Sequence, residues 1–269
     1  STGMTIRWHR IEAFAAQFDR CAVHADEMAV VLAEADSRPE LVETASLALG
    51  SLGVVAPTLV LPTPTSRGPV PVRSTGASTA IDGHRAAVAA LCAADFVVDC
   101  TVEGLLHASE LEEVLASGTR VLMVSNEHPE VFERVSHDPT LADRVAKGVG
   151  LLGAAHQMHV TSAHGTELVV ELDGAVVAGS DGTAVESGTI AHWPGGLVLA
   201  FPAAGTVNGT VVMAPGDVNL TFKEYLQSTI RLTIESDFVT AIDGAGVEAD
   251  LFRSYMEAWD EPEAYAISH

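Results

Sequence analysis

Short apolar runs alternate with stretches of helical spacing along the first half of the chain. Met28–Ala33, Thr58–Leu61, Phe96–Cys100 and Val121–Val124 are bounded by turn formers, and their lengths predict buried strands. Between them, Pro39–Leu52 places apolar side chains at Leu41, Ala45, Ala48, Leu49 and Leu52, a helical period that Pro39 can open. Further helices are predicted over Ala80–Ala94, over Ser109–Ser117 with a stop at Gly118, and over Pro129–Val135. Another is predicted over Thr140–Leu152, with Asp138 as its cap and Pro139 at its start. Strands alternating with helices predict a parallel sheet covered on both faces.

The pattern changes near His156. Met158–Ser162 and Glu167–Leu172 read as strands joined by a hairpin turn at Ala163-His164-Gly165. Leu197–Phe201, Thr210–Met213, Ile230–Ile234 and Phe238–Ile242 are further strand candidates, and Asp243-Gly244 is a turn signal. Ala249–Trp259 predicts a helix, and Pro262 opens a second that is expected to reach His269. The expected fold is α/β: a Rossmann-like parallel-sheet domain over 4–155, then a β-rich α+β domain over 156–269. Pro62–Thr79 is rich in Pro, Gly, Ser and Thr and reads as a long exposed loop.

Composition narrows the function. The chain has 36 acidic and 14 basic residues and a formal charge of −22, which repels nucleic acid phosphates and anionic lipid. Its 48% hydrophobic and 19% charged residues suit an ordinary soluble, cytoplasmic protein. Only Lys147 and Lys223 are available for Schiff-base or P-loop chemistry. Cys21, Cys92 and Cys100 form no CxxC, so neither a disulfide framework nor a thiolate zinc site is expected. No signal peptide or membrane-spanning run is read, and Ser1-Thr2-Gly3 ahead of Met4 looks like a cloning remnant.

Three places can carry chemistry. In Asp99-Cys100-Thr101-Val102-Glu103-Gly104-Leu105-Leu106-His107 an apolar strand runs out toward a helix, and ligands of open α/β sheets bind beyond the carboxyl ends of strands. That placement offers His107 as a general base, against the plainer reading of an ordinary surface or core histidine. Ser125-Asn126-Glu127-His128-Pro129 follows the next strand to the same rim, where Asn126 or Glu127 can equally cap the following helix. His156, His159 and His164 form a histidine-rich run. The first two share a face only in a helix, whereas this stretch reads as a strand. His192-Trp193 is a pocket-wall or packing candidate.

Five stretches together resemble the 2,5-dihydroxypyridine 5,6-dioxygenase family: VDCTVEGLLHA (98–108), VSNEHPE (124–130), MHVTSAHGTEL (158–168), HWPGGLVLAFPAAGTVN (192–208) and EAYAISH (263–269). The match runs in order from about 95 to 269, whereas residues 4–94 fit only in general pattern. The resemblance implies ring opening of a hydroxylated N-heterocycle with O2, to an N-formylmaleamate-type product. It implies Fe(II) held by two histidines and an aspartate. His269 maps onto the first ligand, with the other histidine and the aspartate expected beyond this sequence; without them the chain alone is expected to be inactive. It also implies His107 as the acid/base residue, Leu106 as a pocket residue and a homo-oligomer; His192, from its place as a pocket-wall candidate, is expected beside Leu106 as a substrate contact. The thermophilic-type metallo-aminopeptidases share the fold, but their site carries glutamates where Pro202-Ala203-Ala204-Gly205-Thr206 has no carboxylate. A small-molecule binding protein is the remaining alternative.

Overall fold

The computed structural model describes residues 6–64, 79–135, 137–222 and 224–269. Ser1-Thr2-Gly3, Lys223 and residues 65–78 of the Pro62–Thr79 loop lie outside the described residues. The first element, α1 (Trp8–Arg20), has no counterpart among the expected ones. Polar residues and alanines separate its large apolar ones, yet Ile11, Phe14 and Phe18 recur at helical spacing and are buried. The elements β1 (Ala29–Glu34), α2 (Pro39–Ser51), β2 (Thr58–Leu61), α3 (Arg85–Cys92), β3 (Phe96–Asp99), α4 (Leu111–Ala116), β4 (Arg120–Val124) and α5 (Glu130–Arg134) follow. Then come α6 (Leu141–Ala154), β5 (Gln157–Thr161), β6 (Glu167–Glu171) and β7 (Val176–Ser180), after which β8 (Ile190–Trp193) returns to the first sheet.

That sheet has the order β2-β1-β3-β4-β8 and is parallel throughout. Its central strands are buried along their whole length, as expected of a sheet covered on both faces. Alternate residues feed two cores. Val31, Phe96, Val98, Leu122 and Val124 meet Phe14, Phe18, Leu41, Leu49 and Trp193 on one face. Val30, Leu32, Val97, Val121 and Met123 meet Ile81, Val88, Leu91, Leu105 and Val114 on the other. Gly118 ends α4 with φ +97°, a left-handed stop suited to glycine.

The described residues form two compact units. The first comprises 6–64, 79–142 and 180–197, and the second 143–179 and 198–269. In the second, β9 (Leu197–Phe201), β10 (Val207–Met213), β11 (Val218–Asn219), β12 (Glu224–Tyr225), β13 (Ile230–Glu235) and β14 (Phe238–Asp243) precede α7 (Val247–Ala258). A five-stranded antiparallel sheet runs β14-β13-β10-β6-β5, beside the pairs β7-β9 and β11-β12. β13 alternates buried and less buried residues, the mark of a sheet with one covered face. Gly165, at φ +98°, sits in the expected hairpin turn between β5 and β6.

The helix expected from Pro262 to the end is instead one 3₁₀ turn, Pro262–Tyr265. Ala266 turns extended (φ −78°, ψ 144°) and bridges Phe238, and the Ile267 N–H donates to Asp237 O at 2.8 Å. Ile267 packs beside Val170, Leu172 and Ile234, so pairing with a strand edge and burial of one apolar side chain displace the helix.

Candidate active site

The carboxyl ends of β1 and β3 are neighbours in the sheet. The chain leaves β1 through α2 toward β2 on one side, and leaves β3 through α4 toward β4 on the other. This is the topological switch point, where open α/β sheets form their ligand crevice. Both strands end there in a buried carboxyl: Glu34 is 2% exposed and Asp99 fully buried.

These side chains hold the segment that follows β3. Asp99 Oδ1 accepts from the Thr101 N–H at 2.9 Å and from Thr101 Oγ1 at 2.6 Å, and Oδ2 accepts from the Leu105 N–H at 2.7 Å. Glu34 Oε1 accepts from the Val102 N–H at 3.0 Å. Ser37 Oγ donates to Cys100 O at 2.7 Å and accepts from the Glu34 N–H at 2.9 Å. Gly104 has φ +74°, and a Cβ there would lie 3.1 Å from Met123 Sδ, so a side chain is disfavoured twice. Burial pushes the Asp99 carboxyl up to about 6, against the Thr101 and Leu105 donors that favour its charged form; nearby Glu34 adds to the rise. Burial likewise pushes the Cys100 thiol upward, which removes it as a thiolate nucleophile.

Fully buried Leu105 anchors this segment in the core, and the next two residues point outward. Leu106 is 48% exposed; His107 is exposed and has no hydrogen-bond partner among the described residues. Leu106 lines a shallow concavity of about 600 Å³ with Leu111, Leu115 and Gly188.

His192 stands on the same sheet. Asp99 pairs with Met123 and Met123 with His192, so the three form a row across β3, β4 and β8 on one face. Two strand spacings put roughly 10 Å between the backbones of Asp99 and His192. His192 Nδ1 lies 3.1 Å from Pro194 O. A carbonyl only accepts, so Nδ1 carries the proton and Nε2 of the neutral ring is left as an acceptor.

Neither Asn126 nor Glu127 caps α5. The Glu130 N–H instead donates to His128 Nδ1 at 3.3 Å. Asn126 O accepts from Arg38 Nε, while its Oδ1 is shut off from solvent and has no partner among the described residues. On the opposite face a cavity of about 240 Å³ is lined by Gln17, Arg20, His137, Asp181, Trp193 and Pro194. It contains none of the expected site residues.

In the second unit, His156 pairs with Asp173 at 2.7 Å, and His159 on strand β5 lies 3.4 Å from Glu167. His269 is exposed; its Nδ1 is 2.6 Å from Ser268 Oγ and its ring 5.3 Å from that of Phe201. At the 202–206 turn the Asp237 carboxylate accepts from the N–H groups of Gly205 and of the following Val207. Among the described residues no three His, Cys, Asp or Glu side chains gather to hold a metal ion, so they do not by themselves fit a three-ligand iron centre.

The family model described as 2,5-dihydroxypyridine 5,6-dioxygenase (NicX) matches residues 9–269. The chain belongs to this family. A curated 2,5-dihydroxypyridine 5,6-dioxygenase of Pseudomonas putida KT2440 is 40% identical over 191 residues, 71% of this chain. The chain spans about half of that relative's length, 53%. The solved structure of 2,5-dihydroxypyridine dioxygenase from Pseudomonas putida KT2440 superposes with a TM-score of 0.87 at 34% identity, covering 99% of this chain and 76% of that one. Wild-type AmpT from Thermus thermophilus gives a TM-score of 0.62 at 13% identity over 96% of this chain and 76% of its own, a likeness of fold alone. Within the dioxygenase family frame, VDCTVEGLLHA, VSNEHPE and the start of HWPGG all leave the carboxyl edge of the parallel sheet. What sequence reading missed is the support behind His107: Glu34, Ser37 and the side chain of Asp99. Only the Asp-x-Thr spacing of Asp99 and Thr101, an Asx-turn signal, pointed to it.

Proposed function

We propose that the protein to which this chain belongs opens the ring of 2,5-dihydroxypyridine, or a close hydroxylated N-heterocycle, adding both atoms of O2 to give an N-formylmaleamate-type product. The observation that carries this reading is family membership across residues 9–269. His107 removes a proton from a ring hydroxyl, which makes the ring electron-rich and ready to react with an oxidant. Its exposure and lack of a partner among the described residues leave its ring nitrogens open to substrate. Leu106 offers an apolar wall, and His192 Nε2 an acceptor for a ring hydroxyl or N–H.

The reading includes Fe(II), with His269 as one ligand and a further histidine and aspartate supplied from outside these 269 residues. One histidine does not hold an iron ion, so the steps above are confined to this chain's own groups. A cytoplasmic homo-oligomer completes the reading. In its support, Cys21, Cys92 and Cys100 are free thiols, and Val160, Val176, Phe201, Phe238 and Leu251 present apolar surface to solvent. Among the described residues no helix is long and apolar enough to cross a membrane. A light-scattering mass of one chain removes the oligomer.

The deciding experiment loads the full-length protein anaerobically with Fe(II) and follows O2 uptake and loss of substrate absorbance. Absence of turnover with every hydroxypyridine tried sinks the proposal. His107→Ala is expected to lower kcat at least about 100-fold with iron content unchanged. Parallel loss of iron and activity contradicts the acid/base role.

A further inference from the structure

We infer that Asp99 is a positioning residue for His107: its two carboxylate oxygens clamp the two ends of the 101–105 segment and so fix where His107 stands. The inference rests on the reading of His107 as the proton-transfer group and names what aims it. Asp99 Oδ1 takes both donors of Thr101 at the start of the segment, and Oδ2 takes the Leu105 N–H at its end. Leu105 lies two residues before His107, with its side chain locked in the core. Glu34, from the neighbouring strand, holds Val102 between those ends, and Ser37, from the turn after that strand, holds Cys100 just ahead of them. Gly104 lets the segment bend tightly over Met123.

The chemistry of the clamp separates Asp99 from an ordinary turn residue. Asn, Ser or Thr can serve a local Asx-type turn without bringing a charge into the interior. Burying a carboxyl is costly, and three donors approaching from two sides recover part of that cost while fixing where both oxygens stand. Only a carboxylate presents acceptors in both directions. An amide keeps one acceptor for Thr101 and must then aim an N–H at the Leu105 N–H. Asp99 also shares its row with Met123 and His192, so the clamp is referenced to the strand that carries the second expected substrate contact.

The test uses the full-length, iron-loaded enzyme as wild type, Asp99→Asn, His107→Ala and the double variant, assayed on 2,5-dihydroxypyridine. Asp99→Asn is expected to lower kcat roughly 100-fold, the effect of misplacing a reacting group by about 1 Å, with KM changed much less. The double variant is expected to be no slower than His107→Ala, because a misplaced residue that is already absent has nothing more to lose. Hydrogen exchange of the Thr101, Val102 and Leu105 amides is expected to speed up in Asp99→Asn while the amides of β4 keep their protection. Effects that multiply in the double variant, or unchanged exchange across 101–105, overturn the inference. Should Asp99→Asn fail to fold, Thr101→Val removes one bond of the clamp; the same absence of effect in the His107→Ala background is required. Wild-type enzyme inert toward every hydroxypyridine removes the proposed function itself, whereas active enzyme with multiplying effects removes only the role of Asp99.

Discussion

Two segments of this chain end in a histidine for which a chemical role is proposed, and they are built in opposite ways. Residues 100–107 hang from three buried polar side chains, with fully buried Leu105 as an apolar anchor. Residues 262–269 have one 3₁₀ turn, one bridge from Ala266 to Phe238 and one backbone bond at Ile267, with Ser268 and His269 out in solvent. The first is fixed from behind before any ligand arrives. The second has a tied backbone and an exposed terminal ring that touches only Ser268 and Phe201 among the described residues, which suits a group whose final position is set by what it binds. A proton-transfer residue must meet its substrate already aimed, whereas a metal ligand can be drawn into position by the ion.

The contrast can be broken by stability measurements. The largest effect is expected for Leu105→Ala, about 4 kcal/mol in urea unfolding of the first unit, from a cavity at a fully buried leucine. Next comes the pH dependence of Asp99. Its folded pKa, about 6, lies above its ordinary 3.8, so the folded state favours the protonated form. The stabilisation from this group is fully present below about pH 4 and is lost as pH rises through 6, on the order of 3 kcal/mol across the window. Unfolding free energies of wild type and Asp99→Asn, measured from pH 4 to 7, should differ by a term of that sign and disappear as a slope in the variant. A slope of opposite sign means that the three donors outweigh burial. The smallest effect is expected for Ile267→Ala, about 1 kcal/mol, because Ile267 is only partly buried beside the second unit's core. If it costs as much as Leu105→Ala, the terminal segment is anchored as firmly as the loop, and the contrast fails.

Strands β1, β3 and β4 were legible to within about a residue, since apolar runs between turn formers have few other uses in a chain of this length. α1 was not, because its three apolar anchors sit among polar residues, two of which, Arg10 and Gln17, are themselves buried through partners far along the chain. β8 was missed for a related reason. Its four residues include a histidine, and its strand character comes from pairing with β4, about seventy positions earlier. The same limit applied to the site. A histidine just past a strand end could be read from order alone, and the resemblance sharpened it. The bonds from Glu34 to Val102 and from Asp99 to Leu105 could not be read, because they depend on which strands become neighbours.

The late return of β8 has a consequence for synthesis. While a ribosome is making this protein, the first sheet has an open edge at β4 until residue 193 has left the exit tunnel, and by then β5, β6 and β7 are already outside. Through that interval β4, a buried run of Arg-Val-Leu-Met-Val in the finished molecule, presents unpaired backbone to whatever strand comes near. A ribosome stalled between residues 124 and 190 should therefore be where a nascent chain of this family most needs a chaperone.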